Sequence, residues 1–559
     1  MLITPEAVDF GILTLLCSAS LAYAEIHYKF KFIPSRYRKT APEIIADIPL
    51  RISPGYNLPV LIFVKDADKY PVTLHCVSVH IACETGSTSR SLTFDTECEI
   101  AEPWWHRLLW VPRLHGEVGW CEIKVNFKAT VAGKTEEFSA DNYHLTNHQP
   151  FRCYFADELL PLPRHFYAGD LHTHSNYTSD QVEFGAPPIA IAQMAQAMGH
   201  HFTAITDHSY DLDDYSDNYL KNDPDIQKWQ DFQAEIAFCN GKLENFVTIA
   251  GEEVSCGNAN RQNVHMLAFN HPDYIPGAGD SGEKWLRTAP DLSVAEIVAQ
   301  PAQGSLFFAA HPLVPVPFLQ RLLLRRNNWH AEDFAHPNLH GLQIWNGHVL
   351  GMTEARQNWI DLLLAGDRKF IIAGSDAHGN FNRFRQIKMP HLWMEEQDRY
   401  HLFGQHCTIA YIEDELTLDN LLSALRNGAC AITAGPFLAI KAVHAGQHET
   451  HMGGTIIGNQ ATLTLNASST REFGEFSRIV LFKGEIGAGL ETVLVDESFS
   501  HRSYDFTATI LLDWPEGRGC YYRAELYCNG DADWPIAAMT NPIWHFSAET
   551  PAQTLPEEE

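Results

Sequence analysis

The chain of 559 residues has no CxxC pair and no cluster of cysteines; its 12 cysteines are scattered from Cys17 to Cys528. Scatter of this kind excludes a zinc–thiolate site and a disulfide framework, and predicts twelve buried or half-buried thiols in a reducing compartment. Positive charge is scarce, with 40 Lys and Arg against 69 Asp and Glu and a formal charge of −29. That balance excludes a nucleic-acid duplex as the main partner, because phosphate binding is dominated by basic side chains. Low-complexity stretches and internal repeats are absent, and a 45% hydrophobic content excludes wholesale disorder. No stretch reaches the ~20 apolar residues of a membrane span. The longest candidate, FGILTLLCSASLAYA at 10–24, ends in Ala22-Tyr23-Ala24, as a signal peptide would. Acidic Glu6 and Asp9 precede it, however, and its basic residues, Lys29 to Lys39, follow it. A buried helix and a cytoplasmic protein compete here with an exported one whose residues 1–24 are removed.

What is present divides the chain by texture. After an apolar segment and a basic stretch (1–40), residues 41–160 read as short strands broken by turns. In WCEIKVNFKATV (120–131), Ile123, Val125 and Phe127 alternate with Lys124, Asn126 and Lys128, the period of a half-buried strand in a sandwich-like domain. From 161 to 440, strand-like runs alternate with helical stretches such as PPIAIAQMAQAMG (187–199) and TEARQNWIDLLLAG (353–366), the latter with Thr353 as its expected N-cap. This alternation predicts an α/β fold with parallel strands wound into a barrel. A second β domain (441–550) and a disordered acidic tail (551–559) complete the expected organisation.

The chemistry sits where the strand-like runs end. FYAGDLH (166–172) leads into His172-Thr173-His174, FTAITDH (202–208) closes on Asp207-His208, and FVTIAGE (246–252) closes on Glu252-Glu253. VHMLAFN (264–270) contains His265, LFFAAH (306–311) ends in His311, and FIIAGSD (370–376) continues to Asp376-Ala377-His378. Alternate strand residues point the same way, so His172 and His174 can converge on one ion, as can Asp376 and His378. One HxH means little. Of the 29 histidines, 14 lie between His165 and His378, close to a chance share, so the signal is register with strand ends rather than density. The run GLQIWN (341–346) ends without a metal ligand; Trp345 is expected in the core and Asn346 facing substrate.

GDLHTHS with Asp180 (169–180), AITDH (204–208), GEEVS (251–255), AAHP (309–312) and GSDAHG (374–379) resemble the ordered motifs of the polymerase and histidinol phosphatase (PHP) family. LRNGACAITAGPF (425–437) and AAMTNPIW (537–544) resemble its carbaryl-hydrolase-like branch. The resemblance implies a distorted (β/α)7 barrel flanked by N-terminal and C-terminal β-sandwich-like domains, with two or three divalent ions (Mn, Zn or Fe) at the strand ends. Carried over by residue, His172, His174, Glu253 and Asp376 would hold one ion. Glu253 would bridge to a second ion held by His265 and His311, and Asp180, His208 and His378 would hold a third. Asp207 would orient a neighbouring ligand.

Imidazole and carboxylate ligands suit Zn²⁺, Mn²⁺ or Fe²⁺, and such ions lower the pKa of a shared water and polarise an ester oxygen. No G-x-S-x-G marks a serine nucleophile. The function expected is therefore a phosphoesterase that uses a metal-bridged hydroxide on a small or nucleotide-like phosphate ester, with Glu253, Asp376 and His378 as its catalytic groups. A carboxylester or carbamate hydrolase with the same ions, and a non-catalytic metal-binding module, are the alternatives. Arg383 and Arg385 are candidate phosphate clamps, and QRLLLRRNN (320–328) is expected to be one amphipathic helix with a solvated basic side.

Overall fold

The computed structural model describes residues 41–84, 89–142, 148–178, 184–280, 288–347, 349–379, 381–382, 400–444, 449–458, 460–513, 519–529 and 535–547. The 10–24 run, the rest of the first forty residues, Asp180, Arg383, Arg385 and the 551–559 tail lie outside the described residues.

Residues 41–155 build two facing sheets. Glu43–Asp47, Leu58–Lys65 and Trp104–Val111 form one. The other is led by Val72–Cys83 and Gly119–Val131, paired antiparallel. The period of two is obeyed on either side of a bulge between Leu74 and Cys76: Leu74, Val77, Val79 and Ile81 meet Ile123, Val125 and Phe127 in the space between the sheets. Cys83 and Cys121, opposite one another across these strands, are disulfide-bonded, which corrects the expectation of twelve free thiols.

The α/β barrel expectation is also corrected. Among the described residues the protein is mostly β, 47% strand and 15% helix. Phe166–His174, Phe202–His208 and Val247–Gly257 do run parallel. Only residues 258–262 then connect to Asn263–Phe269, too short for the crossover of a dozen or more residues that a parallel neighbour needs. Asn263–Phe269 is therefore antiparallel to the strands on both sides of it. Nor does the sheet stop at the centre. From Phe166–His174 it continues through Cys407–Tyr411, Cys430–Thr433, Ile536–Thr540 and Cys520–Asn529 into a mixed assembly of 16 strands. A four-stranded sheet around Phe437–His444 and Gln460–Ser468 packs on its C-terminal part. Phe437–His444 crosses the expected boundary at 440/441, so the C-terminal β layers are continuous with the centre rather than appended to it.

Two local expectations change as well. Gly351 at φ 81°, not Thr353, precedes the helix Met352–Ala365. The expected helix over 320–328 ends at Leu323 in Phe318–Leu323, and Arg326 lies beyond it, partly buried. No helix among the described residues is long and apolar enough to cross a membrane.

Polar ties fix the layers against one another. Arg51, 5% exposed, donates through Nε to both oxygens of Glu472 at 3.0 Å and through Nη1 to Ser53 and the Met198 carbonyl. One guanidinium thus joins the N-terminal sheets, the helix Pro188–Met198 and the C-terminal layer. Asn541 accepts from the Ile371 amide at 2.8 Å and donates to the Ile371 and Cys430 carbonyls at 3.1 Å each.

His200 lies beneath this joint with its Nε2 3.4 Å from the Cys407 sulfur. Burial, with the nearby Arg51 charge, lowers its pKa from 6.5 to about 3. The folded state binds this proton less readily than the unfolded state. The associated stability is present above pH 6.5 and is lost as pH falls toward 3, by at most about 1.4 kcal/mol per pH unit. Denaturant unfolding between pH 7 and 4 should show a shallower acid loss in His200→Gln than in the wild type; identical slopes would refute this origin.

Candidate metal centre

The site grows from strand ends that are held rigidly. Asp170, fully buried, accepts hydrogen bonds from the amides of His172 (3.0 Å), Ser375 (2.9 Å) and Gly404 (3.0 Å). It thereby clamps the two chain segments that carry HxH and DxH. A Cβ on Gly374 would stand 2.4 Å from the His172 nitrogen, so only glycine allows that approach. Thr173 and His174 then pair with Ala377 and His378. Asp376 and His311 have φ of 55° and 29°, backbone strain of the kind that surrounding structure must hold in place.

Glu253 is the centre. Its Oε1 lies 2.6 Å from His265 Nδ1 and 2.9 Å from His311 Nε2. Its Oε2 lies 3.1 Å from His208 Nδ1, 3.3 Å from His174 Nε2 and 3.4 Å from His172 Nε2. Asp376 Oδ1 faces His172 and His174 at 3.3 Å each. The His378 ring stacks on His174 with centroids 4.1 Å apart. Glu252, one residue earlier, points to the other face of its strand and accepts from Ser209 and Trp229.

Three groups able to hold a metal ion result: His172, His174, Glu253 and Asp376; His208, Glu253 and His265; His174, His208 and His378. The partition differs from the expected one. His208 joins Glu253 and His265, while His311 stands outside these groups, 2.9 Å from Glu253 Oε1 and 3.9 Å from Asp376 Oδ2. His172 Nε2, His208 Nδ1, Glu253 Oε2 and His378 Nε2 are buried without a hydrogen-bond partner. Buried polar atoms are seldom left so, and four orphans aimed at one centre are what a cation would satisfy; the donor set fits one.

The electrostatics agree. Burial alone would raise the carboxyls of Glu253 and Asp376, but the surrounding imidazoles hold both well below the usual range. Burial likewise opposes protonation of His174, yet Asp376 and Glu253 lift it to about 10. His208, where burial and His174 act together, drops to about 4, and burial pulls His378 well down.

No family model and no curated protein matches the chain. Among solved structures, a calcium-binding mutant of Bacteroides uniformis β-glucuronidase 2 aligns at 11% identity, covering 92% of this chain and 62% of its own, with a TM-score of 0.17. Parabacteroides merdae β-glucuronidase aligns at 11% identity, covering 91% and 64%, with a TM-score of 0.18. Activated α-2-macroglobulin from Escherichia coli gives 7%, 91% and 24%, with a TM-score of 0.15. The chain thus spans less than two thirds of each neighbour's length, and likeness at these TM-scores carries no argument about fold or activity.

Several groups that orient the cluster were not evident in the sequence. Gln343 Oε1 is 2.8 Å from His172 Nδ1, which leaves Nε2 facing the centre. Asp280 Oδ2 lies 2.9 Å from His265 Nε2, so that Nδ1 faces Glu253. Thr178 Oγ1 is 3.3 Å from His174 Nδ1. Asp207, which the sequence did single out, lies outside all three groups and accepts from the Ser175 and Thr178 amides at 2.7 and 2.9 Å and from the Ser175 hydroxyl. His401 lies 3.7 Å from Asp376 Oδ2, and Tyr210 stacks on His208 at 4.6 Å. A glutamine inside the apolar run GLQIWN was the one legible signal; Asp280, in the loop GAGD, offered none. Trp345 is fully buried, and Asn346, 3% exposed, lines the cavity above the cluster.

Elemental analysis of purified His174→Ala and Asp376→Ala should show loss of bound divalent metal with the fold retained by circular dichroism; full metal content in both would refute the assignment. Asp280→Ala should weaken metal binding about 10- to 100-fold in a chelator competition, because it removes the acceptor that fixes the His265 tautomer.

Proposed function

We propose that the protein is a metal-dependent hydrolase of small phosphate esters. The observation that carries this reading is the convergence of His172, His174, His208, His265, His311, Glu253 and Asp376 on one buried centre with orphaned ligating atoms. The ordered motifs along the chain support it, independently of the barrel they had implied. In this reading His172, His174, Glu253 and Asp376 hold one cation and Glu253 shares a second with His208 and His265. Bound there, divalent ions supply Lewis-acid polarisation of an ester oxygen and a water of lowered pKa.

The chain's own residues do the remainder. Glu253 and Asp376 stay ionised and give the centre its negative charge. His378, whose proton affinity burial pulls well down, adds a further imidazole for a cation beside His174 and His208. Asn346 sits where it can orient a bound substrate. The cavity, about 300 Å³, suits a small molecule and not a polymer, in keeping with the charge of −29.

The test loads the purified protein with Mn²⁺ or Zn²⁺ and compares aryl phosphates, phosphodiesters, aryl esters and carbamates. Turnover of phosphate esters, abolished by a chelator and restored by metal, is expected. Turnover of carboxylic esters or carbamates with none of phosphates would sink the proposal, as would a metal-loaded protein inert to every substrate.

A further inference from the structure

Arg326, expected on the solvated side of a helix, instead lines the cavity over the metal cluster. Its Nη2 donates toward His265 Nδ1 at 3.3 Å, and its Nη1 lies 3.8 Å from Asp280 Oδ2. Asp280 therefore steadies both the histidine and the arginine. The side chain keeps 29% exposure, and the cavity is where that exposed part opens. A guanidinium presents a planar fork of N–H donors that matches the oxygens of a phosphoryl group, and here it sits beside the cluster rather than out in solvent.

Another part of the lining is of a different kind. Pro312, Val314, Pro315, Val316 and Pro317 follow His311 directly in sequence, and Leu350 comes from the loop ahead of Met352–Ala365. None of these side chains can hydrogen-bond to a ligand, whereas Gln320, Asn327 and Asn346 elsewhere in the lining can. Three prolines in six residues also keep this wall stiff, so its shape is set before a ligand arrives.

We propose that this cavity is built for phosphomonoester anions carrying an apolar aryl or alkyl group, with Arg326 binding the phosphoryl oxygens and the Pro312–Pro317 wall taking the organic part. This rests on the hydrolase reading above and narrows its substrate class to esters whose organic part is apolar. Charge and surface divide the work: the arginine and the metal cluster take the phosphoryl end, and burial of apolar area selects what is attached to it.

Calorimetry on the full-length, Mn²⁺-loaded protein with phenylphosphonate and methylphosphonate tests this without turnover, since their C–P bonds resist hydrolysis. Phenylphosphonate should bind about tenfold tighter or better than methylphosphonate. Arg326→Met should weaken phenylphosphonate by about tenfold or more, with Arg326→Lys recovering part of the loss, and Val316→Asn should narrow the ratio between the two ligands. Equal affinity for the two phosphonates overturns the inference. So does phenylphosphonate affinity within twofold of wild type in Arg326 variants that keep their metal. A protein that passes these binding tests but hydrolyses no ester refutes the proposed function alone; one that hydrolyses phosphate esters and fails them refutes this inference alone.

Discussion

A single carboxylate, Glu253, sits within 3.4 Å of five imidazoles from four different strands or strand ends. A buried carboxylate is costly unless its charge is matched, and buried imidazoles with lone pairs facing inward are costly for the same reason. Each compensates the other only at this spot. The surrounding architecture can be understood as what is needed to hold these strands within reach: Asp170 clamping two segments, Gly374 permitting their approach, and strained backbone at His311 and Asp376.

The ligand positions were legible because strand-end chemistry leaves a local trace. His172 and His174 share a face by the period of two, and GSDAH follows an apolar run that can only be a buried strand. Direction was not legible. A run such as VHMLAFN looks the same whether it is parallel or antiparallel, and only the short 258–262 connection distinguishes the two. The choice of Glu253 over Glu252 needed the family resemblance of GEEVS, and the structure supplies a physical ground for it: adjacent strand residues face opposite ways.

Long-range polar pairing left still less trace. The Arg51 pairing with Glu472 spans 421 positions, and nothing near either residue in sequence announces it. Asp280 and Arg326 belong to loops whose composition is ordinary, yet they meet at His265. The Cys83–Cys121 bond likewise depends on the register between two strands, and scattered cysteines without a motif concealed it.

The continuity of the 16-stranded sheet bears on how the chain can be divided. A cut near residue 440 would not release a module. It would strip Ile536–Thr540 from Cys430–Thr433 and remove Asn541 from the Ile371 backbone, leaving a raw edge of unpaired amides two strands from His172. Such edges recruit other chains. The half that carries the histidine cluster and the C-terminal layers are thus joined by backbone ladders across that point, and tolerated insertions belong in the surface loops, where no ladder is broken.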